Sequence, residues 1–196
     1  MTKGNETKEL ILKAALDFSS KLGLESLSIG ELAKRVGMSK SGLFGHFNSK
    51  EKLQKMVIDY AAKNYTENVF LPAFKKPRGI PRILAIVETW HKWSGKNFTG
   101  GCPFVAAAFE YDDRPGPVRD HIRHHQSTMI GSFEKAAQIA VDEGHFKKDL
   151  DVKAFAFEFY SYMLGYHLYS RLLRDEVAKE RHIETVDGLI ARSRAV

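Results

Sequence analysis

The chain reads as all-α, with a small N-terminal three-helix unit followed by a larger helical bundle. Three observations predict this. Apolar residues recur at three- and four-residue steps along nearly the whole chain. Cap and stop residues bound each such run. No stretch shows the alternation of a half-buried strand, an internal repeat or a low-complexity tract.

Residues 6 to 22 place Leu10, Ile11, Ala14, Ala15, Phe18 and Leu22 on one apolar stripe of a first helix, and Gly23 follows as its stop. Ser28-Ile29-Gly30-Glu31 has the form of a capping box. It opens a short helix that turns Ile29, Leu32, Ala33 and Val36 inward. Gly37 ends that helix, and Ser39 is placed to cap a third, which runs through Gly42, Leu43 and Phe44 to Phe47. Asn48 or Ser49 caps a fourth helix that begins Lys50-Glu51-Lys52-Leu53, continues to about Phe70 and ends at Pro72. Further helices fit residues 80 to 97, 103 to 112, 115 to 143, 151 to 174 and 176 to 194. Glycine- and proline-rich turns punctuate them, and Asp149 or Asp151 caps the helix rich in Phe155, Phe159 and Met163. The chain divides in the fourth helix, into residues 1–50 and residues 51–196.

With 196 residues, 43% hydrophobic and 28% charged, the chain has the balance of one or two globular domains. A single cysteine, Cys102, excludes an internal disulfide and fits a reducing cytosol. The start MTKGNETKEL lacks the apolar core of a signal peptide, and no stretch is long and apolar enough to span a bilayer. The expectation is therefore a cytoplasmic chain with no membrane partner. The net charge of +6 favours a polyanionic partner, but Lys and Arg are spread along the chain. Charge alone does not separate DNA from a membrane surface or from plain solubility.

The local pattern at residues 28 to 47 is more specific. Two short helices flank the tight turn Val36-Gly37-Met38-Ser39, where Gly37 supplies the left-handed backbone. This is a helix-turn-helix, in which the second helix enters the major groove and the first crosses the phosphate backbone. The outer face of the second helix offers Ser39, Lys40, Ser41, Gly45 and His46, small or hydrogen-bonding groups suited to base edges. The helix N-termini at Ser28 and at Lys50 present free backbone N–H groups to phosphate, and Lys50 adds a charge. Lys3, Lys8 and Lys13 extend that set, with a solvated outer face as the other reading of Lys13.

From Thr7 to about Asp59 the chain resembles the TetR family DNA-binding domain. The carrying residues are Ile11 to Ala15, Phe18, Gly23, Ser28-Ile29, Glu31-Leu32-Ala33, Val36 to Phe47 and Lys50 to Leu53, in order and spacing. The resemblance implies an all-helical homodimer that binds double-stranded operator DNA. It also implies a variable C-terminal domain for a small-molecule effector, and a dimer interface on the last two long helices. Ser28, Ser39, Lys40, Ser41, Gly42, Phe44, His46 and Lys50 become the expected DNA contacts. Two departures bear on them. Phe44 stands where the family commonly has a tyrosine that meets phosphate, so its role becomes packing or sugar contact. Gly45 brings no side chain, so the helix either reads fewer bases or approaches the groove more closely. Gly30 weakens the first helix of the pair, and the sequence offers no reason for it.

The C-terminal part is rich in aromatics, most of them core in the plain reading. Trp90, Trp93, Phe104, Phe109, Phe133, Phe159 and Met163 are the candidates to line a cavity for a small, largely apolar effector. Leu164, Leu168, Leu172, Ile183, Val186 and Ile190 would leave an apolar patch on a monomer, which a four-helix interface between two copies would bury. His121, His124 and His125 stand near one helical face, either as a metal site or as surface histidines beside Arg119 and Arg123. No second cysteine or HExxH pattern joins them, and the expectation is no metal and no cofactor. Cys102 fits a sensing thiol or simply a small residue at a tight helix start. Nucleophile–base pairs, phosphate-binding glycine loops and paired carboxylates are absent from the sequence motifs, which argues against an enzyme. The expected function is a ligand-responsive transcriptional regulator, a repressor that its effector releases from DNA.

Overall fold

The boundaries of the N-terminal helices are explained by the side chain or backbone conformation of single residues. The computed structural model describes residues 3–96 and 98–195, without the side chains of Lys3 and Lys96. The first helix, α1 (Lys3–Leu22), stops at Gly23. The second, α2 (Ile29–Val36), opens on Ser28, whose hydroxyl accepts the Glu31 N–H at 3.1 Å. Gly37 closes α2 at φ 67° and returns its N–H to the Ala33 and Lys34 carbonyls. That conformation is open to glycine at little cost.

The third helix, α3 (Lys40–Phe47), is capped by Ser39, which accepts the Gly42 N–H at 3.0 Å. Of the two candidate caps for α4 (Lys50–Tyr65), Ser49 is the cap, accepting Lys52 N–H at 3.1 Å. Asn48 instead ends α3 at φ 64°, a left-handed state that asparagine tolerates.

The expected stop at Pro72 is not observed. The ladder of α4 passes through a π-turn, Thr66–Phe70, into α5 (Leu71–Phe74), and Pro72 lies in the first turn of α5. A proline in a first turn lacks only a donor that would have no helical partner, and the widened turn ahead of it relieves the ring clash. Then follow α6 (Ile80–Lys96), α7 (Pro103–Tyr111), α8 (Pro117–Asp142), α9 (Val152–Arg171) and α10 (Ala178–Ser193). These match the expected spans to within a few residues, with residue 97 outside the described set. Asp151, not Asp149, caps α9, accepting N–H groups of Lys153 and Ala154 at 2.9 and 3.0 Å. Among the described residues, no helix is long and apolar enough to cross a membrane.

Two compact units form by packing: Met1–Tyr65 with Trp93–His125, and Thr66–Lys92 with Gln126–Val196. In the first, α1 packs on α2, α4 and α7. Its inward face is therefore broad: Ile11, Leu12, Ala15, Leu16, Phe18 and Ser19 are buried. Leu10 and Leu22, expected on the inward stripe, are exposed, because contact from several sides moves the buried face toward Leu12 and Leu16. At residue 100 the α1 backbone comes close: a Cβ there would lie 1.7 Å from the Ser20 carbonyl oxygen, so only glycine fits.

In the second unit, α9 packs along α10. Phe133 meets Phe159 at 5.0 Å between ring centroids, and Phe146 meets Phe155 at 5.2 Å. The tail after α10 is clipped by Lys147 N–H to the Ser193 carbonyl and Ala195 N–H to the His145 carbonyl, at 3.0 and 3.1 Å.

Candidate nucleic-acid interface

Alternation of buried and bare positions on α3 sets what it presents. Leu43 and Phe47 are fully buried, as are Leu32 and Ala33 on α2, and these lock the two helices together. Lys40, Ser41, Gly42, Phe44 and Gly45 are exposed on the other side, and His46 is half-buried with its ring 6.2 Å from that of Phe47. Phe44 is 51% exposed, a large apolar ring facing solvent on an eight-residue helix.

The two cap hydroxyls keep a free hand. Ser39 Oγ accepts from Gly42 and lies 3.2 Å from Ser41 Oγ, and Ser28 Oγ accepts from Glu31. A hydroxyl has one donor and two acceptor positions, so capping leaves O–H donors for phosphate. A Cβ at Gly30 would come to 3.0 Å from Lys40 Cε, the end of an exposed and flexible side chain that can give way, so packing does not explain the glycine there. At Gly45 a Cβ would meet nothing within 4 Å, so internal packing does not require glycine.

Lys50 has a partner within the chain. Its Nζ lies 2.6 Å from Glu25 Oε1, so the ammonium already has a counter-ion inside the chain. Glu25 also accepts from Tyr111 Oη at 2.8 Å and from Gln54 Nε2 at 3.2 Å. The Lys50 hydrogen bond, followed by that from Tyr111, holds the Glu25 carboxyl down to about 2, against the opposing pull of burial. The loop before α2 is pinned by Glu110, whose carboxylate accepts N–H groups of Leu24 and Glu25 at 2.6 and 2.8 Å. Sequence reasoning missed Glu25, Gln54, Glu110 and Tyr111 because their partners lie 25 to 86 positions away. Of the other cations, Lys13, Lys34 and Arg35 are exposed, and the Arg35 guanidinium sits 4.7 Å over the Phe18 ring. Lys8 is half-buried, and the Lys3 side chain lies outside the described residues.

The expected pocket residues fall into separate groups. In the first unit, Trp93 stacks near Phe104 at 6.5 Å and donates its indole N–H to Asn64 at 2.7 Å. In the second, Phe133, Phe159 and Met163 are buried core. Phe109 is 63% exposed, on the outer side of α7. Trp90 packs on two wall residues of a cleft in the second unit, with its ring 5.4 Å from Tyr166 and 5.7 Å from His182. That cleft, of about 190 Å³, lies between α9 and α10 and includes Tyr162, Tyr166, Tyr169, Arg181 and His182.

Behind it, His91 Nε2 and His182 Nδ1 share a hydrogen bond of 2.9 Å. Burial holds both imidazoles well below their ordinary range, so both are neutral. The outer nitrogens, His91 Nδ1 and His182 Nε2, are buried without a hydrogen-bond partner among the described residues.

The residues expected at a dimer face differ in their exposure within the chain. Leu168, Leu172 and Ile183 are exposed and Leu164 is half-buried. Val186 and Ile190 are only 1% and 3% exposed, because α10 turns them onto its own chain's core. Cys102 is buried at the N-cap of α7, in line with the small residue at a tight helix start. His121 and His125 converge on Asp59, whereas His124 is exposed.

The family of bacterial regulatory proteins, tetR family, matches residues 11–55, and the tetracyclin repressor-like C-terminal domain matches residues 79–186. The HTH-type transcriptional regulator AcrR of Shigella flexneri is 32% identical over 65 residues, 33% of this chain and 30% of that protein. The match thus spans less than a third of that relative's length. A TetR transcriptional regulator from Chloroflexus aurantiacus J-10-FL has the same fold, with TM-score 0.88 and 23% identity over 99% of this chain and 98% of the other. AibR, solved in complex with isovaleryl coenzyme A and operator DNA, superposes with TM-score 0.71 and 21% identity over 96% of this chain and 98% of its own.

Proposed function

Because the chain belongs to the TetR family of transcriptional regulators, we propose that it is a cytoplasmic, homodimeric repressor that a small, largely apolar effector releases from its operator. Two copies of α3 enter successive major grooves of a roughly palindromic site, about 34 Å apart. The observation that carries this reading is the outer face of α3: Lys40, Ser41, Phe44 and Gly45 stand bare on a helix held by Leu43 and Phe47.

Lys40 and Ser41 meet base edges or phosphate, and His46 reaches from the half-buried flank. Ser28 and Ser39 donate their hydroxyl protons to phosphate, and Gly42 and Gly45 let the backbone come close. Phe44 packs on a sugar or a thymine methyl. Lys50, with one N–H on Glu25, turns its remaining donors to phosphate. The effector enters the cleft between α9 and α10, where the unpartnered His182 nitrogen gives one polar anchor among aromatic walls. Trp90 emission reports its occupancy.

The test is a gel shift on the DNA upstream of the protein's own gene, at several salt concentrations. Operator binding should exceed bulk-DNA binding, and Lys40→Ala should flatten the log–log salt slope by about one. Equal affinity for operator and bulk DNA would overturn the reading.

A further inference from the structure

The geometry points to a first-row divalent transition-metal site formed by Asp59 of α4 with His121 and His125 of α8. All three lie in the first unit. His121 and His125 are one helical turn apart, with ring centroids 4.8 Å from each other. Both aim Nε2 at the same oxygen: Asp59 Oδ1 lies 2.7 Å from His121 Nε2 and 2.9 Å from His125 Nε2. The three ligand atoms fall within 4.8 Å of one another.

Two imidazole nitrogens and one carboxylate oxygen suit zinc, cobalt, nickel or copper better than magnesium or calcium, which prefer all-oxygen sets. With metal–ligand bonds of about 2.0–2.2 Å, ligand atoms in a tetrahedral site sit ~3.3 Å apart. The present N–O separations open by about half an ångström around an ion, while the imidazole nitrogens, within 4.8 Å of each other, draw together. On binding, each imidazole moves its proton from Nε2 to Nδ1, or releases it, so that a bare Nε2 faces the metal. Three protein ligands leave a position for water or an exchangeable ligand, the pattern of an open site rather than a closed structural one.

Access is available. Asp59 is exposed, both histidines are partly so, and Asp59 also borders an open cleft with Asn5, Glu9 and Lys63. The ion would tie α8 to α4, the helix whose first turn carries Ser49 and Lys50 beside α3.

The test uses the untagged full-length chain, without DNA, so its outcome is independent of the operator reading. Cobalt(II) titration should give visible d–d absorption that saturates at one equivalent per chain and is abolished by excess zinc(II). His125→Ala should remove the signal, and Asp59→Asn should weaken binding by at least about tenfold, the scale of losing even an outer-shell partner. His124→Ala should leave it unchanged. Zinc should also protect His121 and His125 of the unaltered protein from diethyl pyrocarbonate, read by peptide mass spectrometry, a measurement that needs no variant to fold. Absence of a one-equivalent signal, its persistence after removal of both His121 and His125, or equal modification with and without zinc would each overturn the proposal.

Discussion

Glu25 illustrates how one side chain can alter the role of another. Its carboxylate takes hydrogen bonds from Lys50, Tyr111 and Gln54, which keep it ionised and give the Lys50 ammonium a partner within the chain. A carboxyl held below its ordinary 4.5 contributes stability that is present above that value and is lost as pH falls from about 4.5 toward about 2. The difference in urea midpoint between the unaltered protein and Glu25→Gln should therefore shrink over that window. A difference that stays constant from pH 7 to pH 3 would contradict the assignment. Solvent screening at this half-exposed site keeps the effect modest. Gly45 gives the complementary case. Its site has open space for a methyl group, so Gly45→Ala should stabilise the chain by up to about 1 kcal/mol through helix propensity alone. If Gly45 faces the groove, the same variant should bind operator more weakly while melting at a higher temperature. Equal or tighter binding would remove Gly45 from the contact surface.

At the scale of elements, caps and stops determine where helices begin, and long-range contacts determine which side they bury. The cap at Ser39 and the turn at Gly37 were legible because each acts within a few residues of its own position, whereas the choice of Asp151 over Asp149 waited on the fold. The π-turn at Thr66–Phe70 was not, because nothing local distinguishes it from a continuing helix until Pro72 is accommodated. The pairing of α6 with α10 through His91 and His182 also has no local signature. Both imidazoles are held neutral by burial, so the sign of the linkage is definite. Their contribution is present above the ordinary histidine value of about 6.5 and is lost as pH falls below it. In Trp93→Phe protein, Trp90 emission should report unfolding at lower urea as pH is taken from 7 to 5, since Trp90 packs on both rings. An unchanged midpoint over that range would rule out buried neutral histidines.

For the molecule as a whole, a net charge of +6 matters less than which cations are paired. Lys40 lies on the bare face of α3, and Lys50 is paired with Glu25. The proposed dimer rests on Leu168, Leu172 and Ile183, which stay exposed on α9 and α10 after the chain has buried Val186 and Ile190. Leu172 is 74% exposed, so its replacement changes little inside one chain. Leu172→Glu should shift sedimentation toward monomer and lower operator affinity, with helix content unchanged by circular dichroism. A variant that remains dimeric would place the interface elsewhere.

The sequence by itself determined the all-helical class, the caps at Ser28 and Ser39 and the helix-turn-helix with its outward residues. Each of these depends on spacing within one or two turns, where side chain, backbone and period interact directly. Tertiary structure decided the rest: that α1 buries Leu12 and Leu16 rather than Leu10 and Leu22, that Lys50 has a partner, and that Val186 and Ile190 belong to the core. It also brought Asp59 to His121 and His125 across 62 and 66 positions. The physical reason is the same in each case. A side chain's fate depends on what packs against it, and the chain must fold before partners so far apart in sequence can meet.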